Sequence, residues 1–211
     1  MRAAAALLFG AFVLAPTGLA APQASETGMD GRLQQTAYDA SPVWQRIVQW
    51  PLSTNWRAPA AVGSPAQQQT ALVVGLVNEI NDVRRQRGLK PFVTSAKLSA
   101  AAAQHTREMG VDGYFEHESY DSTPFWKRIE RWYPSKRWRS WSVGENLLYS
   151  SPDVTASEGV ELWMGSPPHR ANLLNRTWRE IGISAIHFDA APGEYHGQPV
   201  TIVTADFGVR R

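Results

Sequence analysis

Two histidines and one glutamate stand out for the company they keep. His117 lies in "GYFEHES", among aromatics, and His169 follows Pro167 and Pro168 in "SPPHRANLL". Glu145 lies in "GEN". Two imidazoles and a carboxylate suit a divalent metal such as zinc, with water at an open position. The same groups can carry general acid–base chemistry. The plain alternative is that each is a structural hydrogen-bond partner. They are far apart in the chain, so only a fold can join them. Two familiar arrangements are excluded. His117 is followed by Glu118, Ser119, Tyr120 and Asp121, which is not H-E-x-x-H, and no G-x-S-x-G elbow occurs.

The other candidates are weaker. His105 sits on an apolar stripe and is expected to be a satisfied core histidine. His187 and His196 flank a turn and are expected at the surface. Asp206, inside an apolar strand, needs partners if buried, which makes it a supporting residue. Asn146 is expected to be a structural hydrogen bonder.

The elements that must position these residues follow from periodicity. Leu72, Val73, Leu76, Val77, Ile80 and Val83 recur at helical spacing; Gly88 can end that helix and Pro91 stops its continuation. Further helices are expected over about residues 95–112 and 123–132. "SVGENLLYS" is strand-like, "DVTASEGVELWMG" helical, and "SPPHRANLL" a short separate helix. In that helix Ser166 suits the N-cap and Pro167 the first turn, where a missing N–H costs nothing. The positive end of the helix then favours neutral His169. "EIGISAIHF" and "PVTIVTADFGV" are β-branched strands around a turn-rich "DAAPGEYHGQ". Helices and strands mix without βαβ alternation, so the class is α+β, with helices packed on a mainly antiparallel sheet.

Composition narrows the setting. A net charge of +2 on 211 residues is too small for a general polyanion binder, and nucleic acid is not expected as a partner. The absence of cysteine excludes disulfides, thiolate metal sites and a cysteine nucleophile. "MRAAAALLFGAFVLAPTGLA" has Arg2, an apolar run and small residues at Gly18 and Ala20, the pattern of a signal peptide cut after Ala20. Its apolar run, broken by Pro16, is shorter than the roughly 20 residues of a spanning helix, and nothing later is long enough. Residues 21–68 are rich in Pro, Gln, Ala and Ser and are expected to be a linker or loose arm; "VWQRIVQW" within them could form a short docking helix.

Four segments in order carry a resemblance: "LSAAAAQHTREMGVDGYFEHES", "SVGENLLYSS", "ELWMGSPPHRANLLN" and "EIGIS" with "VTIVTADFGV". Together they resemble the bacterial, cysteine-free branch of the CAP superfamily. That superfamily unites cysteine-rich secretory proteins, antigen 5 and pathogenesis-related 1, and is also called SCP-like extracellular proteins. The resemblance covers residues 69–211. It implies an α-β-α sandwich and a cleft where two histidines and two acids meet, a metal site in some relatives. His117 matches the first histidine, Glu145 the first acid and His169 the second histidine. Ser166 stands where the second acid belongs, shortly after Trp163; Glu161, on the other side, is a poor substitute. The implied site is therefore His117, Glu145 and His169, catalytic if the protein is an enzyme, and otherwise ligands of zinc or another divalent metal.

"WKRIERWYPSKRWRSW" interleaves Lys127, Arg128, Arg131, Lys136, Arg137 and Arg139 with Trp126, Trp132, Tyr133, Trp138 and Trp141. Either the tryptophans pack inward beneath solvated charges, or the segment meets wall polymers or anionic headgroups. Three functions stay open: an exported monomeric module binding a cell-wall or envelope ligand in the cleft; a hydrolase of peptide or wall bonds; and an interaction protein using residues 126–141.

Overall fold

A computed structural model describes residues 4–16 and 67–211. The cleavage point after Ala20 and the arm up to residue 66, with its short docking helix, lie outside the described residues.

The expected helices form, and the first two are each followed by a glycine at positive φ. Helix α1 (Thr70–Gln86) buries Leu76 and Ile80. It closes at Gly88, whose φ of +66° suits glycine, while the Arg87 and Leu89 amides turn back onto the Arg84 carbonyl. Helix α2 (Ala96–Asp112) buries Leu98, Ala101, Ala102, His105 and Met109. Gly113, at φ +74°, caps it through its N–H to Met109 O. Helix α3 (Phe125–Trp132) turns Phe125, Arg128 and Ile129 inward. Helix α4 (Ala156–Gly165) begins in a capping box in which Thr155 and Glu158 satisfy each other's amides. Helix α5 (Pro167–Leu173) follows at once.

Three long strands make the sheet: β4 (Ser140–Ser151), β5 (Glu180–Ala191) and β6 (Gln198–Arg210). β6 pairs antiparallel with both β4 and β5 and so lies in the middle. β4 starts two residues before the strand-like "SVGENLLYS", taking in Ser140 and the buried Trp141. Short β2 (Gln67–Gln68) pairs antiparallel with β5, so the last two residues of the expected arm belong to the sheet. β3 (Val93–Thr94) runs parallel to β5. The backbone of Ala4–Pro16, within the expected leader, forms β1 antiparallel to β4.

Strand alternation then builds two cores. Ile181, Ile183, Ala185, Val203, Ala205 and Phe207 face α1, α4 and α5, with Trp163 and Trp178 fully buried among them. Val143, Leu147, Ile186 and Ile202 face the opposite way, toward α2 and α3. The result is the expected α-β-α sandwich. Gly182 shows how tightly the layers meet: a Cβ there would fall 2.0 Å from the Ser99 backbone nitrogen of α2.

Candidate functional site

The site forms around β4, and the "GEN" segment serves both of its faces. Successive side chains of a strand point to opposite sides. Glu145 therefore points toward α2 and α3, and Asn146 toward α5.

On the first face, α2 stops at Gly113 and the chain loops through His117 before α3 begins. His117 Nδ1 lies 2.8 Å from Glu145 Oε1. Arg128, carried inward by α3, bonds the other Glu145 oxygen. Its second nitrogen donates to the His117 carbonyl at 3.0 Å and to Ser119 Oγ at 3.3 Å. One guanidinium thus fixes both the carboxylate and the loop that holds the imidazole. Arg128 and Glu145 are both fully buried. Burial alone would push the Glu145 carboxyl up, but the Arg128 charge, then that of His105 and the His117 hydrogen bond, hold it at about 2.

Asp206 faces Glu145 directly across the β4–β6 ladder and is equally buried. No donor among the described residues reaches its oxygens. Burial, together with the Glu145 charge, pushes its carboxyl well above the ordinary range, against the weaker pull of Arg128. Burial beside the Glu145 charge thus favours the protonated form of Asp206.

On the second face, Asn146 Nδ2 donates to the His169 carbonyl at 3.1 Å. Asn172 Nδ2 donates to the Glu145 carbonyl at 3.0 Å and to Asn146 Oδ1 at 2.8 Å. These amides lock α5 to β4, the structural role expected of Asn146. His169 is buried, with Nδ1 2.7 Å from Ser166 Oγ. Ser166 occupies the N-cap position, but its hydroxyl makes no capping bond and serves the imidazole instead. Burial, reinforced by the nearby His117 charge, lowers His169 to about 4 and keeps it neutral near pH 7.

The structure thus bonds His117 to Glu145 and brings His169 near enough to feel His117, through a separate hydrogen-bond system. The three were expected to be able to share a metal. Among the described residues no three His, Cys, Asp or Glu are placed to hold an ion. Glu145 has one oxygen on His117 and the other on a guanidinium, whose charge opposes a second cation. Two imidazoles alone fall short of the three protein ligands of a catalytic zinc site. As arranged, these residues do not fit a three-ligand metal centre. They fit a carboxylate-oriented imidazole. With Nδ1 held by Glu145, His117 Nε2 is buried and makes no hydrogen bond among the described residues.

His105 is fully buried, with Nε2 2.8 Å from Glu116 O, a satisfied core histidine as expected. His196 is exposed in the β5–β6 turn. His187 departs from expectation: its side chain is 15% exposed and bonds Thr201 and Asp153, because the loop after β4 folds over it. Arg128 is the member of this cluster missed by sequence reasoning, grouped there with the other cations of residues 126–141. Its place between Phe125 and Ile129 at i+3 spacing was the available signal.

Residues 77–205, more than half of the chain, match the family model described as "Cysteine-rich secretory protein family", or CAP. The Bacillus subtilis protein YkwD, itself uncharacterized, is 27% identical over 134 residues, covering 64% of this chain and 47% of that one. The chain spans less than half the length of the curated relatives it matches. Among solved structures, an extracellular protein containing an SCP domain from Bacillus anthracis superposes with a TM-score of 0.51 at 20% identity, over 67% of this chain and 41% of that one. An outer surface protein from Borrelia burgdorferi superposes with a TM-score of 0.54 at 18% identity, over 70% of this chain and 98% of that one.

Proposed function

This chain belongs to the cysteine-rich secretory protein (CAP) family, and from that premise we propose that it is an exported module binding a cell-wall or envelope ligand through His117, Glu145 and His169. The observation that carries the reading is the His117 ring, pinned by Glu145 at 2.8 Å with Nε2 buried and unbonded among the described residues. A prepared, unsatisfied imidazole nitrogen costs stability unless a ligand uses it. Export is supported by the leader pattern and by similarity in fold to an extracellular SCP-domain protein and an outer surface protein. No helix among the described residues is long and apolar enough to cross a membrane. Cleavage after Ala20 would take β1 away with the leader and leave the outer edge of β4 unpaired.

The test is pull-down on isolated wall sacculi, with nitrogen NMR of the imidazoles during titration with soluble wall fragments. Binding that shifts His117 Nε2 and is lost in His117→Ala, with the fold retained, is the expected result. Binding unchanged in both His117→Ala and His169→Ala would remove the site from the reading.

A second reading has its own support. A carboxylate holding one imidazole nitrogen leaves the other ready to take a proton from water or a hydroxyl. His117 would then be the general base of a hydrolase of peptide or wall bonds, and Glu145 its positioning residue. Turnover of wall fragments that disappears in His117→Ala would favour this reading; binding without turnover would leave the first.

A further inference from the structure

The fold divides the Trp/Arg segment. Arg128 goes inward to Glu145, and Tyr133 and Trp141 are buried. Lys127, Arg131, Lys136, Arg137 and Arg139 stay outside the core. None of these five takes part in an ion pair among the described residues. The segment's single acid, Glu130, is bonded to Ser135. On a chain of net charge +2, this concentrates exposed positive charge in one short stretch and leaves the remainder net acidic.

Two indoles stand among these cations. Trp132 is 43% and Trp138 40% exposed. Both are held rather than loose. Trp132 Nε1 donates to Gln104 Oε1 at 2.8 Å. Arg210 lies between Tyr133, at 3.7 Å from its ring centroid, and Trp138, at 5.1 Å. Arg137 adds a further sign: its φ is +76°, a conformation that glycine takes freely and a long side chain does not. A residue kept there against its backbone preference is a candidate for use elsewhere.

We propose that this face, from Lys127 to Arg139, docks the protein onto the surface of an anionic phospholipid bilayer. Cations near such a surface each add attraction, and indole rings favour headgroup depth, where one edge is apolar and the other wet. A soluble polyanion would engage the cations but gain little from two fixed, half-exposed indoles beside them. The proposal is independent of the His117 site and uses different side chains.

Flotation of the full-length chain with vesicles tests it, comparing phosphatidylcholine alone with phosphatidylcholine containing about 30% phosphatidylglycerol, at fixed salt. Each cation lost should lower partitioning about fivefold. Arg137→Glu with Arg139→Glu is therefore expected to cut binding to anionic vesicles by at least about twentyfold. Arg137→Gly, which relieves the backbone, should keep the fold and still lose about fivefold. Trp132→Ala with Trp138→Ala should weaken vesicle binding while leaving retention on soluble polyphosphate unchanged, and His117→Ala should bind as the parent does. Equal binding to neutral vesicles, no loss on charge reversal in a folded variant, or polyphosphate binding as tight as vesicle binding and indifferent to both indoles would overturn it.

Discussion

Glu145 and Asp206 stand directly opposite each other on β4 and β6, both fully buried, with the Arg128 guanidinium bonded to the first. Two carboxyl groups so placed cannot both ionise cheaply. The guanidinium favours Glu145 as the charged member, and burial beside that charge pushes the Asp206 carboxyl up. The charged member in turn orients His117.

Asp206 makes stability depend on pH with a definite sign. Its folded pKa lies above the ordinary 3.8, so its contribution is complete below that pH and is lost as pH rises toward the folded value. Asp206→Asn keeps a donor toward Glu145 without a proton to lose. It should therefore gain on the parent in urea unfolding as pH rises above about 4. An advantage that stays constant with pH would mean Asp206 ionises normally.

His169 acts in the opposite direction. Its folded pKa is lowered from 6.5 to about 4 by burial and by His117. The contribution is present above 6.5 and is lost as pH falls through about 4. Melting temperature should drop across that window, and His169→Gln should flatten the drop. NMR titration of the imidazole checks the cause directly; a midpoint near 6.5 would contradict the burial argument.

Removing Arg128 leaves a buried carboxylate without its cation. Arg128→Met should cost about 3–5 kcal/mol by chemical denaturation. Adding Glu145→Gln should recover part of that loss, because the stranded charge is gone. Simple additivity of the two changes would show that the pair is not coupled.

Ser166, which the resemblance in sequence would put at the place of a second acid, has its hydroxyl 2.7 Å from His169 Nδ1. Ser166→Asp should place a carboxylate beside that nitrogen and raise the His169 pKa by about 1–3 units. Ser166→Ala should instead free Nδ1 and change the tautomer, at about 1 kcal/mol in stability. Nitrogen chemical shifts separate the two outcomes, and an unmoved His169 titration in Ser166→Asp would show that the side chain turns away.

Much of the fold was legible in the sequence because its signals are local. Helical spacing from Leu72 to Val83 with Gly88 behind it, and alternation in the last two strands, need no knowledge of what packs against them. The roles of His105 and Asn146 were legible for a similar reason: an apolar stripe and a strand flanked by helices each admit few partners. His117, Glu145 and His169 were named from residue type and from the resemblance in four segments.

What remained hidden depends on register and face. Glu145 meets Asp206 only because β4 and β6 pair in one register; a slip of one residue would turn every side chain of a strand to the other face. Arg128 looks like one more cation in a basic run, yet the rotation of α3 takes it into the core and leaves its neighbours outside. Ser166 looks like a cap, yet its hydroxyl turns to His169. The sequence by itself determined the elements, the family and which side chains could do chemistry. Tertiary structure decided which of them touch, and hence which carboxyl is pushed down, which is pushed up and which imidazole is lowered. Burial and neighbouring charge set those states, and neither is a property of the chain until it folds.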